Sequence, residues 1–299
     1  MARAWDIPKR YINLSLFDGR TGGIKSNKLL AFLSDDAKIS FSTSATTAMR
    51  SYEANVTITG LSRDTMGYLA TAYTNWNSNA IKNRIVIDAG YDNNHSIVYD
   101  GQIIEAQPDL NSADFSISMK CAALYDSMTK NIQSISKEGE VSVKEIAEEI
   151  AGKISEDGDE VQVVYYPEKD YKVQDYSMSD ASPYNQLRML SKETGLDIYI
   201  ENGRMYIKEN GVAVNKLPEL VIDSSNIIGS PMPDYMGCRV QIRMNPAVTG
   251  GMPARINSSR FELLNSYQYF VSEYHHVGET KGKKWFTEVV LLRNKIWQG

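Results

Sequence analysis

The three histidines are the first candidates for acid–base chemistry or metal binding, and their positions argue against both. His275 and His276 are neighbours at the end of an alternating, strand-like run. Successive side chains of a strand point to opposite faces, so these two imidazoles cannot chelate one metal ion together. His95 lies in a polar turn, where a solvated side chain is expected. The sequence therefore predicts no histidine-based catalytic or metal site.

Motifs for nucleophilic catalysis and phosphate binding are also absent from the sequence. It contains no G-x-S-x-G elbow, P-loop or G-x-G-x-x-G fingerprint, and the Thr-Gly-Gly stretches at 21–23 and 249–251 lack the following helix that a phosphate site needs. No titratable group has surroundings that would visibly shift its pKa. We therefore predict no catalytic, cofactor-binding or metal-binding residue and no enzymatic activity. The densest acids lie in a polar turn around Gly158, where solvation is expected: Glu156, Asp157, Asp159 and Glu160.

Composition points to an ordinary globular protein. The chain has 299 residues, of which 42% are hydrophobic, with a net charge of -5. This length predicts about two domains, and the acidic balance argues against a nucleic-acid-binding surface. The N-terminus lacks a signal peptide's apolar region, and no apolar run approaches the ~20 residues that cross a bilayer, so we expect a soluble protein made in the cytoplasm. The 18 tyrosines fit either β-strands or a surface buried against a partner.

Both cysteines are expected in the core. Cys121 ends one alternating apolar run, and Cys238 begins another. At such positions a cysteine behaves as a small hydrophobic side chain. A disulfide between them stays an alternative that nothing in the sequence supports.

The N-terminal part, residues 1–126, reads as strands with one helix. Residues 51–59 alternate between apolar and polar, and a later hairpin carries one glycine in each strand, Gly90 and Gly101. Glycine inside a strand indicates a bend or a close backbone approach. We therefore predict a small barrel, plugged or flanked by the helix. This helix follows the N-cap Ser62 and has an apolar stripe of Met66, Leu69, Ala70 and Tyr73.

The middle, residues 127–212, differs in pattern and reads as a compact α+β module. Its predicted elements are a helix from the capping box at 142–145, strands over 161–166 and 171–178, a helix between Ser182 and Gly195, and a hairpin with the turn Asn202-Gly203.

The C-terminal part, residues 213–299, returns to strands. In its closing stretch Gly278 and Gly282 suit a turn, and Trp285 can cover a barrel end. The predicted fold class is therefore mainly β with an α+β insert. The candidate strands span 219–222, 238–244, 253–257, 267–275 and 284–292.

The order of these patterns resembles that of the baseplate hub proteins of contractile-tailed bacteriophages and the related hubs of contractile injection systems. No single motif is specific, and the joint order carries the resemblance over most of the chain. The stretches are ANVTITGLSRDTMGYL with RIVIDAGYDNNHSIVYDGQIIEAQPD, then SVKEIAEEIAGKI with SMSDASPYNQLRMLSKETGLDIYIENGRMYIKENG, then IIGSPMPDYMGCRVQIRMNPAVTGGMPARINS, and finally YFVSEYHHVGETKGKKWFTEVVLL.

The resemblance implies a fold, a role and partners. Two small tube-like β-barrel domains would flank the α+β domain, and three chains would form a pseudo-sixfold ring that joins the sixfold tail tube to the threefold central spike. Implied partners are the tail tube, spike, tape-measure and baseplate wedge proteins, with no stable nucleic-acid binding, no membrane anchor and no cofactor. The implied location is the virion baseplate, with assembly in the host cytoplasm. The family-pattern positions would be structural: Gly90, Gly101, Gly229, Pro231, His276, Gly278 and Trp285.

A hub of this kind would also form part of the channel for DNA and the tape-measure protein during genome ejection. We expect a polar, acidic lumen, because lysine and arginine side chains would retain DNA. Glu53, Asn55 and Thr57 are candidates for its wall, although this face could equally meet solvent or a neighbouring protomer.

Three alternatives remain open. A tail-tube-like or distal tail protein would be sixfold. A tail-associated cell-wall hydrolase would need catalytic groups that the sequence does not offer. A module that binds host polysaccharide has only the tyrosines in its favour. Because the chain ends at Gly299, just after its last strand, we expect any puncturing tip or hydrolase to be a separate chain.

Overall fold

The computed structural model describes residues 8–17, 28–33, 35–48, 52–72, 83–109, 114–132, 134–156, 160–178 and 181–295. Strands dominate these residues, and the mainly β fold class with α+β content is confirmed. Several positions named above lie outside the described residues: the glycines of 21–23, Tyr73, and the turn formed by Asp157, Gly158 and Asp159.

Strands and one long helix form the N-terminal part. Helix α1 (Arg63–Ala72) begins after Ser62, whose hydroxyl accepts a hydrogen bond from the Thr65 backbone N–H at 3.2 Å. Its side chains Met66 and Leu69 are buried, as the predicted stripe requires. The strands are β1 (Arg10–Phe17), β2 (Lys28–Leu33), β3 (Lys38–Thr46), β4 (Glu53–Thr59), β5 (Arg84–Tyr91), β6 (Asn94–Asp109) and β7 (Ser116–Ala122), followed by the short helix α2 (Tyr125–Thr129).

The middle part packs two helices on a small sheet. Helix α4 (Pro183–Thr194) begins and ends as predicted. The Ser182 hydroxyl caps its N-terminus, and Gly195, with a φ of 69°, ends it. The predicted hairpin is also present, and its turn residue Asn202 has a φ of 47°. The other elements are β8 (Ile135–Ser136), β9 (Glu140–Ser142), α3 (Val143–Glu156), β10 (Gln162–Tyr165), β11 (Lys172–Gln174), β12 (Ser177–Met178), β13 (Leu196–Glu201) and β14 (Arg204–Glu209).

The C-terminal part adds six strands to the described structure and a 3-10 helix at Glu262–Ser266. They are β15 (Leu220–Ile222), β16 (Ile227–Pro233), β17 (Gly237–Arg243), β18 (Pro253–Ile256), β19 (Tyr269–Glu279) and β20 (Trp285–Arg293).

One sheet of 13 described strands joins the N- and C-terminal parts. Its main order is β16-β17-β20-β19-β3-β4-β7-β6-β5-β1-β2, and the pairing of β19 with β3 connects the two halves. A single hydrophobic cluster lies against this sheet and includes Val56 and Met119 from one half and Val240 and Val289 from the other. The division at residues 126 and 212 and the two barrels stay predictions.

The middle part has its own core and is anchored to the large sheet. Ile146 and Ile150 of α3 pack with Leu187 and Leu190 of α4 in a second cluster. The anchor is polar. The Tyr199 hydroxyl on β13 donates a hydrogen bond to the Gly250 carbonyl at 2.9 Å, across 51 residues of sequence.

Three details of the sequence-based interpretation are wrong. The run 171–178 is not one strand, because the backbone turns at Asp175, where φ is 49°, and separates β11 from β12. Strand β16 was not predicted, since Gly229 and two prolines interrupt its alternation. His275 and His276 lie within β19 rather than at its end, because the strand continues to Glu279.

Candidate assembly surface

Eight consecutive strands of the large sheet have chemically opposite faces. They run β16, β17, β20, β19, β3, β4, β7, β6, and every neighbouring pair is antiparallel. Ile39, Val56 and Met119 are buried on the core face. The opposite face, here called the polar face, is rich in hydroxyl and amide groups on its three central strands: Ser40, Ser42, Ser44, Asn55, Thr57, Ser116 and Ser118.

Charges of both signs lie on the polar face, and several are paired. The Lys120 ammonium lies 2.9 Å from a Glu105 carboxylate oxygen, and the Arg239 guanidinium lies 3.0 Å from Glu288. The hydrogen bond from Lys120 lowers the pKa of Glu105 below its ordinary value. Glu53, with Asn55 and Thr57, lies on this face as expected, whereas the acidic excess expected for a channel wall stays a prediction.

Within the described residues, backbone at each end of the eight-strand path lacks a strand partner. Strand β16 is the terminal strand on one side of the described sheet. On the other side β6 changes partners, because it pairs with β5 only up to Gln102 and with β7 from Gln102 to Asp109. Residues 104–108 therefore have no strand on their second side within the described ranges. Such edges present N–H and C=O groups to an incoming strand.

Exposed apolar side chains gather beside the open β16 edge. The backbone N–H of Arg293 donates to the Met236 carbonyl at 3.1 Å, and its guanidinium lies 4.1 Å from the Tyr267 ring centre, so the turn after β16 lies at the end of β20. Methionine and aromatic side chains are typical of protein contacts. We call this surface the apolar end; it comprises Met232 (55% exposed), Tyr235 (89%) and Met236 (49%).

The structure explains the glycines of the N-terminal hairpin by close contacts. A β-carbon on Gly90 would lie against the Asn94 carbonyl oxygen and 2.7 Å from the His95 α-carbon. One on Gly101 would meet the Tyr99 hydroxyl and would lie 3.0 Å from the Ala122 carbonyl oxygen. Register shifts interrupt β6 and its neighbours nearby, at Ile87/Asp88 and at Ile103/Glu105. Side chains larger than hydrogen do not fit at either glycine.

The remaining family-pattern positions fall into two separate places. Gly229 (φ 76°) and the buried Pro231 lie on the β16 edge. Gly278 is not a turn residue as expected: it lies inside β19, where a β-carbon would sit 2.6 Å from Phe41 Cζ and 2.9 Å from Trp285 Cζ3. Trp285 is 6% exposed and packs edge-to-face on Phe41, with ring centres 6.0 Å apart.

His276 and His95 both contact neighbouring side chains. His276 is 1% exposed, and its Nδ1 lies 2.9 Å from the Thr287 hydroxyl. Burial lowers the pKa of His276 to about 3, so the ring is neutral at physiological pH. His95 is not simply solvated: it lies in β6, its Nδ1 is 2.9 Å from Asp88, and its ring stacks on Tyr11 at 3.9 Å.

The sequence did not predict the buried carboxyl group of Glu201. Glu201 ends β13, and its carboxylate accepts hydrogen bonds at 3.2 Å from the Thr249 hydroxyl. Tyr274 and the Gly250 backbone N–H also bond to it, yet burial dominates and raises the pKa of Glu201 to about 7. The expectation that no titratable group is shifted is therefore wrong. Nothing in the local pattern IYIENG distinguishes Glu201 from an exposed strand end.

The described groups that could do chemistry are enclosed in the core. Glu201 and His276 are enclosed and cannot reach a substrate from solvent. Within the described residues, no group of three or more His, Cys, Asp or Glu side chains could hold a metal ion. Cys121 and Cys238 are buried free thiols.

None of the helices that the structure describes has the length and apolarity to cross a membrane.

A family model described as baseplate hub gp41 matches residues 24–290. This chain belongs to the baseplate hub gp41 family. The resemblance found in the sequence is thereby confirmed, and the hub protein is a tail component of the baseplate class. No curated protein sequence matches it.

Solved structures share the fold of this hub protein at very low sequence identity. The tail protein from Neisseria meningitidis MC58 matches with a TM-score of 0.62 and 10% identity, covering 95% of this chain and 97% of that one. The prophage MuSo2 43 kDa tail protein from Shewanella oneidensis gives 0.62 and 8%, covering 96% and 98%. The Escherichia coli c3393 protein, a component of the type VI secretion system, gives 0.56 and 8%, covering 86% and 73%.

Proposed function

We propose that the hub protein is a structural, non-enzymatic virion component that forms a homotrimeric ring on the tail axis. The ring joins the sixfold tail tube to the threefold central spike and forms part of the channel for DNA and the tape-measure protein. The tube, spike, tape-measure and wedge proteins are its partners, without stable nucleic-acid binding or a membrane anchor. Family membership sets the context, and the two strand edges that have no partner among the described residues are the observation that supports the ring.

The two open edges are complementary in direction. Seven antiparallel pairings separate β16 from β6, so these two strands run in opposite directions. In a rotationally symmetric ring, β6 of one copy keeps its direction beside β16 of the next, and the new pair is antiparallel. Head-to-tail contacts of this kind close into a ring when the rotation fits.

Side chains at the edges limit and direct this pairing. Pro108 in β6 and Pro231 and Pro233 in β16 remove backbone donors, so the pairing is short and unsuited to indefinite strand addition. The exposed Ile228 and Met232 on the β16 edge supply apolar contact instead. The polar face, including Glu53, Asn55 and Thr57, then lines the channel, where the carboxylates of Glu105 and Glu288 offset the charges of Lys120 and Arg239 towards DNA.

Native mass spectrometry of the full chain tests the ring. We expect a trimer for the wild type and a shift to monomer for Met232→Asp, because a carboxylate would be buried in the interface. Met189→Asp on α4 is the matched control, since Met189 is 52% exposed and Met232 55%. A hexamer would favour a tube-like protein. A monomer at the highest soluble concentration, or an equal loss of trimer in both variants, contradicts the proposal.

A further inference from the structure

A cleft of about 300 Å³ lies at the end of the sheet that carries the β19–β20 turn, opposite the apolar end. It forms where β1 begins, next to the turn that follows Glu279. Apart from Trp285, which packs on Phe41, none of its lining residues takes part in the contacts described above. Its lining combines basic side chains with one aromatic wall and a single acid: Lys9, Arg10, Ile12, Asp35, Thr280, Lys281, Gly282 and Trp285.

Arg10 lies in this cleft and uses only some of its hydrogen-bond donors. Its Nη1 donates hydrogen bonds to two carbonyl oxygens, that of Glu279 at 2.9 Å and that of Gly282 at 2.7 Å. The guanidinium lies over the Trp285 ring, 5.4 Å from its centre. These contacts use one edge of the planar group. The Nε and Nη2 donors of the other edge have no acceptor in the described part of the chain. Two such parallel donors match the two oxygens of a carboxylate.

The surroundings of Arg10 strengthen the preference for an anion. Lys9 and Lys281 line the cleft, whereas Asp35 is its one acid and already lies 3.5 Å from Lys9. The lining therefore carries a net positive charge in a chain whose net charge is -5. The indole N–H of Trp285 is buried without an acceptor among the described residues.

We propose that this cleft binds a carboxylate-bearing segment of a partner protein, with an Asp or Glu side chain paired side-on to Arg10. The cleft volume of about 300 Å³ accommodates one or two side chains. The planar guanidinium can bind both oxygens of a peptide carboxylate at once, whereas a lysine ammonium acts as a point charge without this geometric preference. This inference goes beyond the ring and does not depend on trimer formation.

Fluorescence anisotropy with a labelled hexaglutamate peptide tests the site on the full chain. We expect salt-sensitive binding to the wild type, weakened at least about tenfold by Arg10→Gln. Arg10→Lys should weaken binding nearly as much, because it keeps the charge and loses the fork. Arg63→Gln is the matched control, since Arg63 also covers an aromatic ring, that of Phe115, and lies outside the cleft.

Lys281→Gln covers the case in which the Arg10 variants fail to fold, because Lys281 is exposed in the turn; we expect a weaker but clear loss of binding. Hexaglutamine should not bind. The proposal is overturned if hexaglutamate does not bind, if Arg10→Lys retains wild-type affinity, or if Arg63→Gln weakens binding equally. Preference for inorganic phosphate or for short single-stranded DNA over hexaglutamate, lost with Arg10→Gln, would also overturn it.

Discussion

Glu201 gives the hub protein a pH-dependent stability that Glu201→Gln should abolish. The carboxyl group is enclosed where β13 of the middle part meets the loop that carries Thr249 and Gly250. Glutamine has nearly the same shape; its carbonyl oxygen can accept from Thr249 and the Gly250 backbone N–H, and the Tyr274 hydroxyl can rotate to accept from its amide N–H. The substitution therefore removes the ionisation and little else. It isolates the cost of a charge at this junction.

The magnitude follows from the raised pKa. Below about pH 4.5 the carboxyl group is protonated in both the folded and the unfolded chain, and folding carries no ionisation cost. Between 4.5 and about 7 the unfolded chain releases the proton while the folded chain holds it, so stability falls as pH rises. Above about pH 7 the full cost remains, roughly 3 kcal/mol for a pKa raised from 4.5 to about 7.

Urea unfolding at a series of pH values measures this difference. We expect Glu201→Gln to match the wild type at about pH 4.5 and to exceed it in free energy of unfolding by roughly 3 kcal/mol at about pH 8. Glu53→Gln, an exposed carboxyl on β4, should reproduce the wild-type curve. A gap between Glu201→Gln and the wild type that does not change with pH would refute the reasoning, as would a gap that grows towards acid.

Four further substitutions test the packing and one buried ion pair. Trp285→Ala should lower the free energy of unfolding by about 3–5 kcal/mol in urea titration, because the indole is 6% exposed against Phe41. Gly278→Ala should cost about 1–3 kcal/mol through the clash with Phe41, whereas Gly67→Ala in α1, with open space around it, should stabilise by about 0.5–1 kcal/mol in thermal unfolding. Asp197→Asn should cost about 3–5 kcal/mol, since the Lys208 ammonium, 2.8 Å away and 1% exposed, would lose its counter-ion; equal stability in urea would contradict this.

Local signals carried the successful predictions. Helix α4 was predicted with its ends because Ser182, Pro183 and Gly195 act within one turn of the backbone. The Asn202-Gly203 turn is similarly self-contained, since both residues adopt the positive φ that such a hairpin turn requires. Alternation in β4 likewise predicted the buried Val56 and the outward Asn55, because one face of a strand follows from the other.

Non-local contacts account for what the sequence did not predict. The burial of Glu201 depends on Thr249, 48 residues away, and Gly278 is required by Phe41, which lies on β3 rather than in the same hairpin. Strand β16 exists because it pairs with β17, although Gly229, Pro231 and Pro233 break its pattern. The turn predicted at Gly278 was wrong for the same reason. A glycine indicates either an unusual backbone conformation or a close contact, and the sequence does not show which of the two applies.

The two ends of the C-terminal part differ in chemistry, since one carries the basic cleft and the other the apolar end. Strand β20 begins at Trp285 in the basic cleft and finishes at Arg293 beside the apolar end, so its nine residues separate the two surfaces by roughly 30 Å. A carboxylate-binding cleft and a methionine- and tyrosine-rich surface select different partners. A protein that joins two unlike tail components needs this asymmetry, because identical ends would let either partner bind on either side. The direction of the hub on the tail axis would then follow from the two ends of one strand.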